Sequence, residues 1–238
     1  MKTKHVERNS ISEEPMQVSR YCDGRYFMDR QIIISIGREC GSGGRLIAEI
    51  IGQELGIDVL DKNMLHSIHE ETDIDMKSLE KYDESSRSVG KILGVSKGNE
   101  ITLLIWDYIK EKADRGESFV VVGRCSEYVL KDNPNLLSVF ISGDKYDKHF
   151  RMINDYGIPE SEAEELRIRT DDERQKFHDR NSESKWGEPG GYDIHVNSSS
   201  FGIPGAADVI IKAAERKAES SSYDKDEILK RIVEKADI

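Results

Sequence analysis

An α/β fold built on a parallel sheet is the architecture this sequence predicts, and three observations carry it. The run QIIISI (31–36) is continuous, apolar and β-branched, the composition of a strand buried on both faces. A glycine-rich turn leads from it into a segment where Leu46, Ile47, Ile50, Ile51 and Leu55 recur at helical spacing, with Gly56 as the stop. IDVLD (57–61) then reads as a second strand, and strand, helix, strand in that order makes a βαβ unit with parallel strands.

The remaining elements follow the same alternation. Residues 62–116 read mostly as helix: NMLHSIHEE and DMKSLEKYDE are short and amphipathic, SRSVGKILGVSKGNE (86–100) reads as a loop, and ITLLIWDYIKEKADRG is a stronger helix ending at Gly116. SFVVVG (118–123) and LLSVFISG (136–143) are a third and a fourth buried strand, and YDIHVN (192–197) is a fifth. DKYDKHFRMINDYG and PESEAEELRIRTDDERQKFHDRN are highly charged helical stretches between the last two strands. IPGAADVIIKAAERKA closes the domain with an amphipathic helix. Residues 1–29 lack periodicity and read as a disordered or loosely attached extension, 30–218 as the domain, and 219–238 as a charged helix or tail.

Bulk properties narrow the function. A net charge of −11 disfavours a sequence-independent grip on nucleic acid, which needs basic patches facing phosphates. No apolar run approaches the ~20 residues of a membrane span, and the polar N-terminus lacks the apolar centre of a signal peptide, so a cytoplasmic protein is expected. Cys22, Cys40 and Cys125 are odd in number and widely spaced, which fits small buried thiols better than disulfides, a zinc site or a redox role.

Active sites in such sheets lie beyond the carboxyl ends of the strands. The glycine–arginine turns fall there: Gly37–Arg38, Gly43–Gly44–Arg45 and Gly123–Arg124. Gly41, Ser42, Gly43 and Gly44 can point successive backbone N–H groups at phosphate oxygens, at the positive end of the following helix. The alternative is a turn that merely joins strand to helix. The loop departs from the G-x-x-x-x-G-K-[ST] pattern in three ways. Gly44 stands where the lysine belongs, Arg38 holds the first glycine position, and Arg45–Leu46 supply no hydroxyl for magnesium. Arg38 and Arg45 are the candidates to replace the missing cation, because arginine is permanently charged and binds phosphate bidentately.

IISIGRECGSGGRLIAEIIGQELGIDVLDKNML resembles the start of the cytidylate-kinase-like proteins. The likeness continues through VVVGRCSEYVL, the arginine-bearing segment 151–180 and WGEPGGYDIHVNSSSFGIPGAADVI. It spans roughly residues 31–215. The resemblance implies a three-layer, P-loop nucleoside monophosphate (NMP) kinase fold with a five-stranded parallel sheet. It also implies a helical NMP-binding insertion at about 62–116 and a mobile lid at about 155–190. It implies ATP and Mg2+ as cofactors and nucleotides as the binding partners; whether the chain is a monomer or a homo-oligomer stays open.

Roles follow by position. Arg38, Gly41, Ser42, Gly43, Gly44 and Arg45 are expected to hold ATP. Asp61 resembles the aspartate that contacts the acceptor, or else it caps the helix after it. Arg124 resembles an arginine that grips the acceptor phosphate, with a surface salt bridge as its alternative, and Arg151 is placed on the acceptor as well. Arg169, Asp171, Arg174 and Arg180 belong to the lid, and Arg45, Arg124 and Arg174 are the catalytic candidates. Lys62 is a second candidate for the missing lysine. His178 reads as a surface histidine, Trp186 as a packing residue with base stacking as the alternative, and Asn197 as a residue near adenine. The expected activity is phosphoryl transfer from ATP to a nucleoside monophosphate, CMP or dCMP. A nucleotide-binding regulator that has lost catalysis and a kinase for another small acceptor are the alternatives.

Overall fold

Five parallel strands lie in the order β4-β5-β3-β6-β7, with β3 (Ile33–Arg38) at the centre. The structure, a computed structural model, describes residues 20–22, 25–27, 30–61, 64, 68 and 97–220. β3 pairs on one side with β5 (Phe119–Val122) and on the other with β6 (Leu136–Ser142). β4 (Asp58–Leu60) and β7 (Ile194–Asn197) form the edges. Each of the five expected strands is present. Within the predicted N-terminal extension, β1 (Arg20–Cys22) and β2 (Arg25–Phe27) form an antiparallel hairpin. The helices expected within 62–96, Lys62 and residues 221–238 lie outside the described residues.

Both faces of the sheet are covered, which is why its strands read as unbroken apolar runs. On one face Ile34, Ile36, Val120, Val139 and Ile141 pack against α1 (Gly44–Leu55) and α6 (Ser198–Ser220). On the other, Ile33, Phe119, Val121 and Leu136 pack against Ile105 and Ile109 of α2 (Lys97–Asp114) and Leu130, which follows α3 (Ser126–Val129). Neighbouring residues of β3 thus serve opposite layers. Ile34 is completely buried. Ile34→Val is expected to lower unfolding free energy by about 1 kcal/mol, read from the urea midpoint at constant m-value.

Local signals set the element ends. α1 stops at Gly56, whose φ of 66° no β-branched residue would tolerate. α2 begins at Lys97, inside the stretch expected to be loop, so that prediction is corrected over residues 97–100: the helix that Ile105 and Ile109 anchor on the sheet runs on N-terminally, each added residue costing less than starting a new helix. α6 is interrupted at Gly202 (φ 69°, ψ 169°), and Pro204 follows where its missing N–H leaves no helical hydrogen bond unmade. Two charged helices, α4 (Lys145–Asn154) and α5 (Glu160–Asn181), form the layer between β6 and β7. α5 is polar on nearly every face and buries only Ala163 and His178. A helix of that kind has little apolar surface to seat it, so polar contacts must do so.

Candidate active site

The glycine loop is shaped by what presses on it. Gly41 and Gly43 have φ of 80° and 78°, a backbone conformation that glycine adopts without strain. A Cβ on Gly41 would lie 2.7 Å from the Lys148 carbonyl oxygen, and one on Gly43 would lie 2.2 Å from Ile203 Cδ1. At Gly44 a Cβ would meet Arg38 Cβ at 2.7 Å and Arg38 Cγ at 3.0 Å. This explains the missing lysine in physical terms: the stem of Arg38 fills the space where a side chain at position 44 would start. α1 begins with no side-chain cap and no acidic residue in its first turn. Its leading amides and its dipole are thereby left for an anion.

Arg38 continues from Gly44 to the next strand end. A Cβ on Gly123 would stand 2.1 Å from Arg38 Nη1, so the guanidinium lies across the bare backbone of the β5 turn. Burial, then Arg174, then Arg124 lower the Arg38 pKa to about 9. Like charges gathered this closely are the arrangement of an anion site. Arg124 and Cys125 are both left-handed, with φ of 62° and 55°. Such conformations in non-glycine residues cost about 1 kcal/mol or more each and persist where neighbours enforce them. Here Trp106 Nε1 donates to the Arg124 carbonyl at 2.8 Å and Ser126 N to that of Gly123 at 3.2 Å.

α5 reaches the loop from the other side. Asp171 Oδ1 accepts the Cys40 N–H at 2.6 Å, and Arg174 Nη1 donates to the Arg38 carbonyl at 3.3 Å. Burial raises the Asp171 pKa above the usual carboxylate value, outweighing the Cys40 N–H and Arg174. Arg167 pairs with Glu164 at 3.0 Å and lies 3.8 Å from Asp171. From α4, Arg151 donates to the Gly41 carbonyl, and Lys148 Nζ lies 2.7 Å from Glu39 Oε2, which also accepts the Gly143 N–H. Sequence reasoning missed Lys148, Glu39 and Arg167. Arg167 was legible: residues 167, 171 and 174 recur at helical spacing, on the side of α5 from which Asp171 and Arg174 reach the loop.

The remaining candidates separate by position. Arg45 is bound to Glu49 at 2.9 Å and to the buried Asp61 at 3.1 Å, and all three line one cavity of about 600 Å³ with Arg38 and Arg174. Ser42 is buried, and its Oγ donates to the Glu39 carbonyl at 2.8 Å, so the hydroxyl stabilises the loop itself. Arg151 stands against the glycine loop, whereas Arg169 and Arg180 are exposed on α5. Asn197 Nδ2 donates to Asp144 Oδ1 at 3.0 Å and its Oδ1 accepts the Ser199 N–H, which ties the β6–α4 turn to α6. Trp186 packs edge-on against Phe140, with ring centroids 5.2 Å apart. Cys125 is buried and Cys40 half-buried, both free, and burial raises both thiol pKa values.

His178 is not a surface residue, which corrects the sequence expectation. It is 3% exposed, with Nε2 2.9 Å from Oε1 of the buried Glu127 although the two are not aligned as a hydrogen bond, and Nδ1 3.4 Å from Asp179. Its ring also stacks near Tyr192. Burial works against the proton, but Glu127 and Asp179 outweigh it and the His178 pKa is raised. A raised pKa in the folded state contributes stability that is complete below the ordinary value of about 6.5 and lost as pH rises through the folded value. The melting-temperature advantage of wild type over His178→Gln is therefore expected to be largest at mildly acid pH and to shrink above neutrality. A pH series of thermal melts on both proteins measures it.

A parallel sheet in this order, a glycine loop after its central strand and an arginine-bearing helical layer beside it define an α/β kinase fold. The chain belongs to the cytidylate kinase-like family, whose model matches residues 33–200. It is 24% identical over 189 residues to a cytidylate kinase from Archaeoglobus fulgidus, an overlap of 77% of this chain and 95% of that protein. It is also similar to the crystal structure of an uncharacterized protein from Eubacterium ventriosum, with 35% identity, 78% of this chain and 99% of that chain covered, and a TM-score of 0.62. Among the described residues no helix is long and apolar enough to cross a membrane.

Proposed function

We propose that this protein transfers the γ-phosphoryl group of ATP to a nucleoside monophosphate, with CMP or dCMP as acceptor. The observation that carries the reading is the convergence of Arg38, Arg124 and Arg174 from three separate elements at the edge where the glycine loop opens. The cytidylate kinase among its relatives supports the acceptor class.

The residues fit a bound nucleotide. The amides from Gly41 to Arg45 would cradle the β-phosphate, in a cradle that a Cβ at Gly43 or Gly44 would fill. Among the described residues no group of three or more His, Cys, Asp or Glu is placed to hold a metal. That suits Mg2+, which arrives on the triphosphate and needs one or two carboxylates besides phosphate and water.

In the step itself an acceptor phosphate oxygen forms the new bond to the γ-phosphorus, the bond to the β-phosphate bridge breaks, and ADP leaves. Charge spreads over the equatorial oxygens in the transition state. Arg38 and Arg174 would neutralise it, while Arg124 and the Arg45–Asp61 pair orient the acceptor. Arg151 and Asp171 hold the loop in shape through Gly41 and Cys40. α5 over the loop would keep water from taking the acceptor's place.

A second reading, a nucleotide-binding regulator without turnover, is favoured by one observation: Arg45 is already engaged by Glu49 and Asp61. ADP release measured across a panel of monophosphates and small alcohols separates the two. Release that depends on a nucleoside monophosphate supports the kinase. Thermal stabilisation by ATP without ADP above background supports the regulator, and release with another acceptor alone moves the substrate class.

A further inference from the structure

The turn after β5 is bent in a way that its residues do not favour. Gly123, Arg124 and Cys125 follow one another at φ of 79°, 62° and 55°. Glycine enters that left-handed region freely, but Arg124 and Cys125 carry a Cβ that crowds the backbone there. Strain in two successive side-chain-bearing residues, at the sheet edge where the glycine loop opens, marks a turn held for what it presents. What it presents is Arg124, whose charge acts on Arg38 together with that of Arg174.

The hydrogen bonds of the turn show what holds it. Both of its ends are tied to β3: the Gly123 N–H donates to the Ile36 carbonyl at 3.0 Å, and the Ser126 and Ser35 hydroxyls share a buried hydrogen bond of 2.6 Å. Within the turn the Gly123 carbonyl accepts the Ser126 N–H at 3.2 Å, and the Cys125 carbonyl accepts the Val129 N–H at 2.9 Å. The Arg124 carbonyl, between them, is met from α2 by the Trp106 indole N–H at 2.8 Å. Trp106 is itself seated, because it packs on the apolar cluster that joins Ile105 and Ile109 to the sheet, as does Val129 of α3. An indole has a single donor, and here it is directed at the peptide unit that leads out of Arg124.

We infer that Trp106 is a positioning residue for the transfer: by holding the Arg124 carbonyl it keeps the left-handed turn from relaxing, and so keeps the Arg124 guanidinium in the arginine cluster that meets the acceptor phosphate. The inference rests on the kinase reading above. It adds to that reading a residue of α2, which acts on the chemistry through Arg124.

Trp106→Phe keeps a ring in the apolar seat and removes the N–H. The value of kcat/KM for CMP is expected to fall about tenfold, the effect of losing a hydrogen bond that orients a reacting group, while the KM for ATP changes by less than about twofold. A structural role alone would lower activity by the same factor whatever stands at position 124. The expected result is that Trp106→Phe adds no loss in an Arg124→Ala background. Replacing Trp106 by 3-benzothienylalanine, which has the shape of the indole with sulfur in place of the N–H, should reproduce the loss, and this arm stands if the phenylalanine variant fails to fold. Equal losses in both backgrounds, or full activity of the benzothienyl protein, would overturn the inference and leave the kinase reading standing. If wild type turned over no monophosphate, the kinase reading would fail, and calorimetric binding of CMP would take the place of kinetics. Binding about tenfold weaker in Trp106→Phe, with no such difference in the Arg124→Ala background, would then support the positioning role. Unchanged affinity, or no binding by wild type, would sink it.

Discussion

Arg38→Ala is expected to lower kcat by about 10³-fold, the scale of a charge-stabilising group lost from a phosphoryl-transfer site. The fold should not suffer. Arg38 is half-buried beside Arg124 and Arg174, its pKa is depressed to about 9, and its removal relieves repulsion. The melting temperature of Arg38→Ala should therefore be equal to or above that of wild type. Arg38→Lys keeps the charge but loses the fork that spans Gly123, and should fall between the two in activity. The seat explains a further expectation. Gly44→Lys alone restores the usual lysine to the loop but drives its Cβ into Arg38, 2.7 Å away, and should inactivate. In an Arg38→Gly background, which removes that Cβ as well, the same lysine has room and should recover about tenfold in kcat over Arg38→Gly alone.

The second large effect is on α5, the helix proposed to act as a lid. Arg174→Ala should lower kcat by about 10²-fold with a smaller change in KM, because the contact matters most with the lid closed over the phosphoryl group. Arg174 is held to the loop through the Arg38 carbonyl and lies 3.6 Å from Asp171. The double variant Arg38→Ala, Arg174→Ala should cost less than the product of the single losses, because both groups neutralise one charge. Steady-state kinetics on the four proteins reads this directly, and circular dichroism confirms that the fold is kept.

The sheet was legible because β3, β5 and β6 are buried on both faces, so their apolar runs admit little else. The glycine loop was legible because its glycines sit between a strand and a helix in the order the chemistry requires. What escaped depends on contacts between segments far apart in sequence. Nothing near Gly44 says that Arg38 fills the space of its side chain, since that follows from how the chain turns after β3. His178 sits in a helix that is polar all round, and its seat beside Glu127 of α3 and Tyr192 is one that no periodicity in α5 reveals. Lys148 reads as one more charge on a charged helix until Glu39 and Gly143 are seen beneath the loop. Arg124 shows only as glycine–arginine in the sequence, while its left-handed backbone comes from the turn that Trp106 secures.

The central claim is that a loop without its lysine moves a phosphoryl group by means of Arg38. Phosphorus NMR of one sample holding ATP, Mg2+ and CMP follows the transferred atom itself. With wild-type protein, ADP and CDP resonances are expected to grow together at the expense of ATP and CMP, and with Arg38→Ala they should grow about 10³-fold more slowly. Equal rates in the two proteins, or ADP appearing with inorganic phosphate and no CDP, would contradict it.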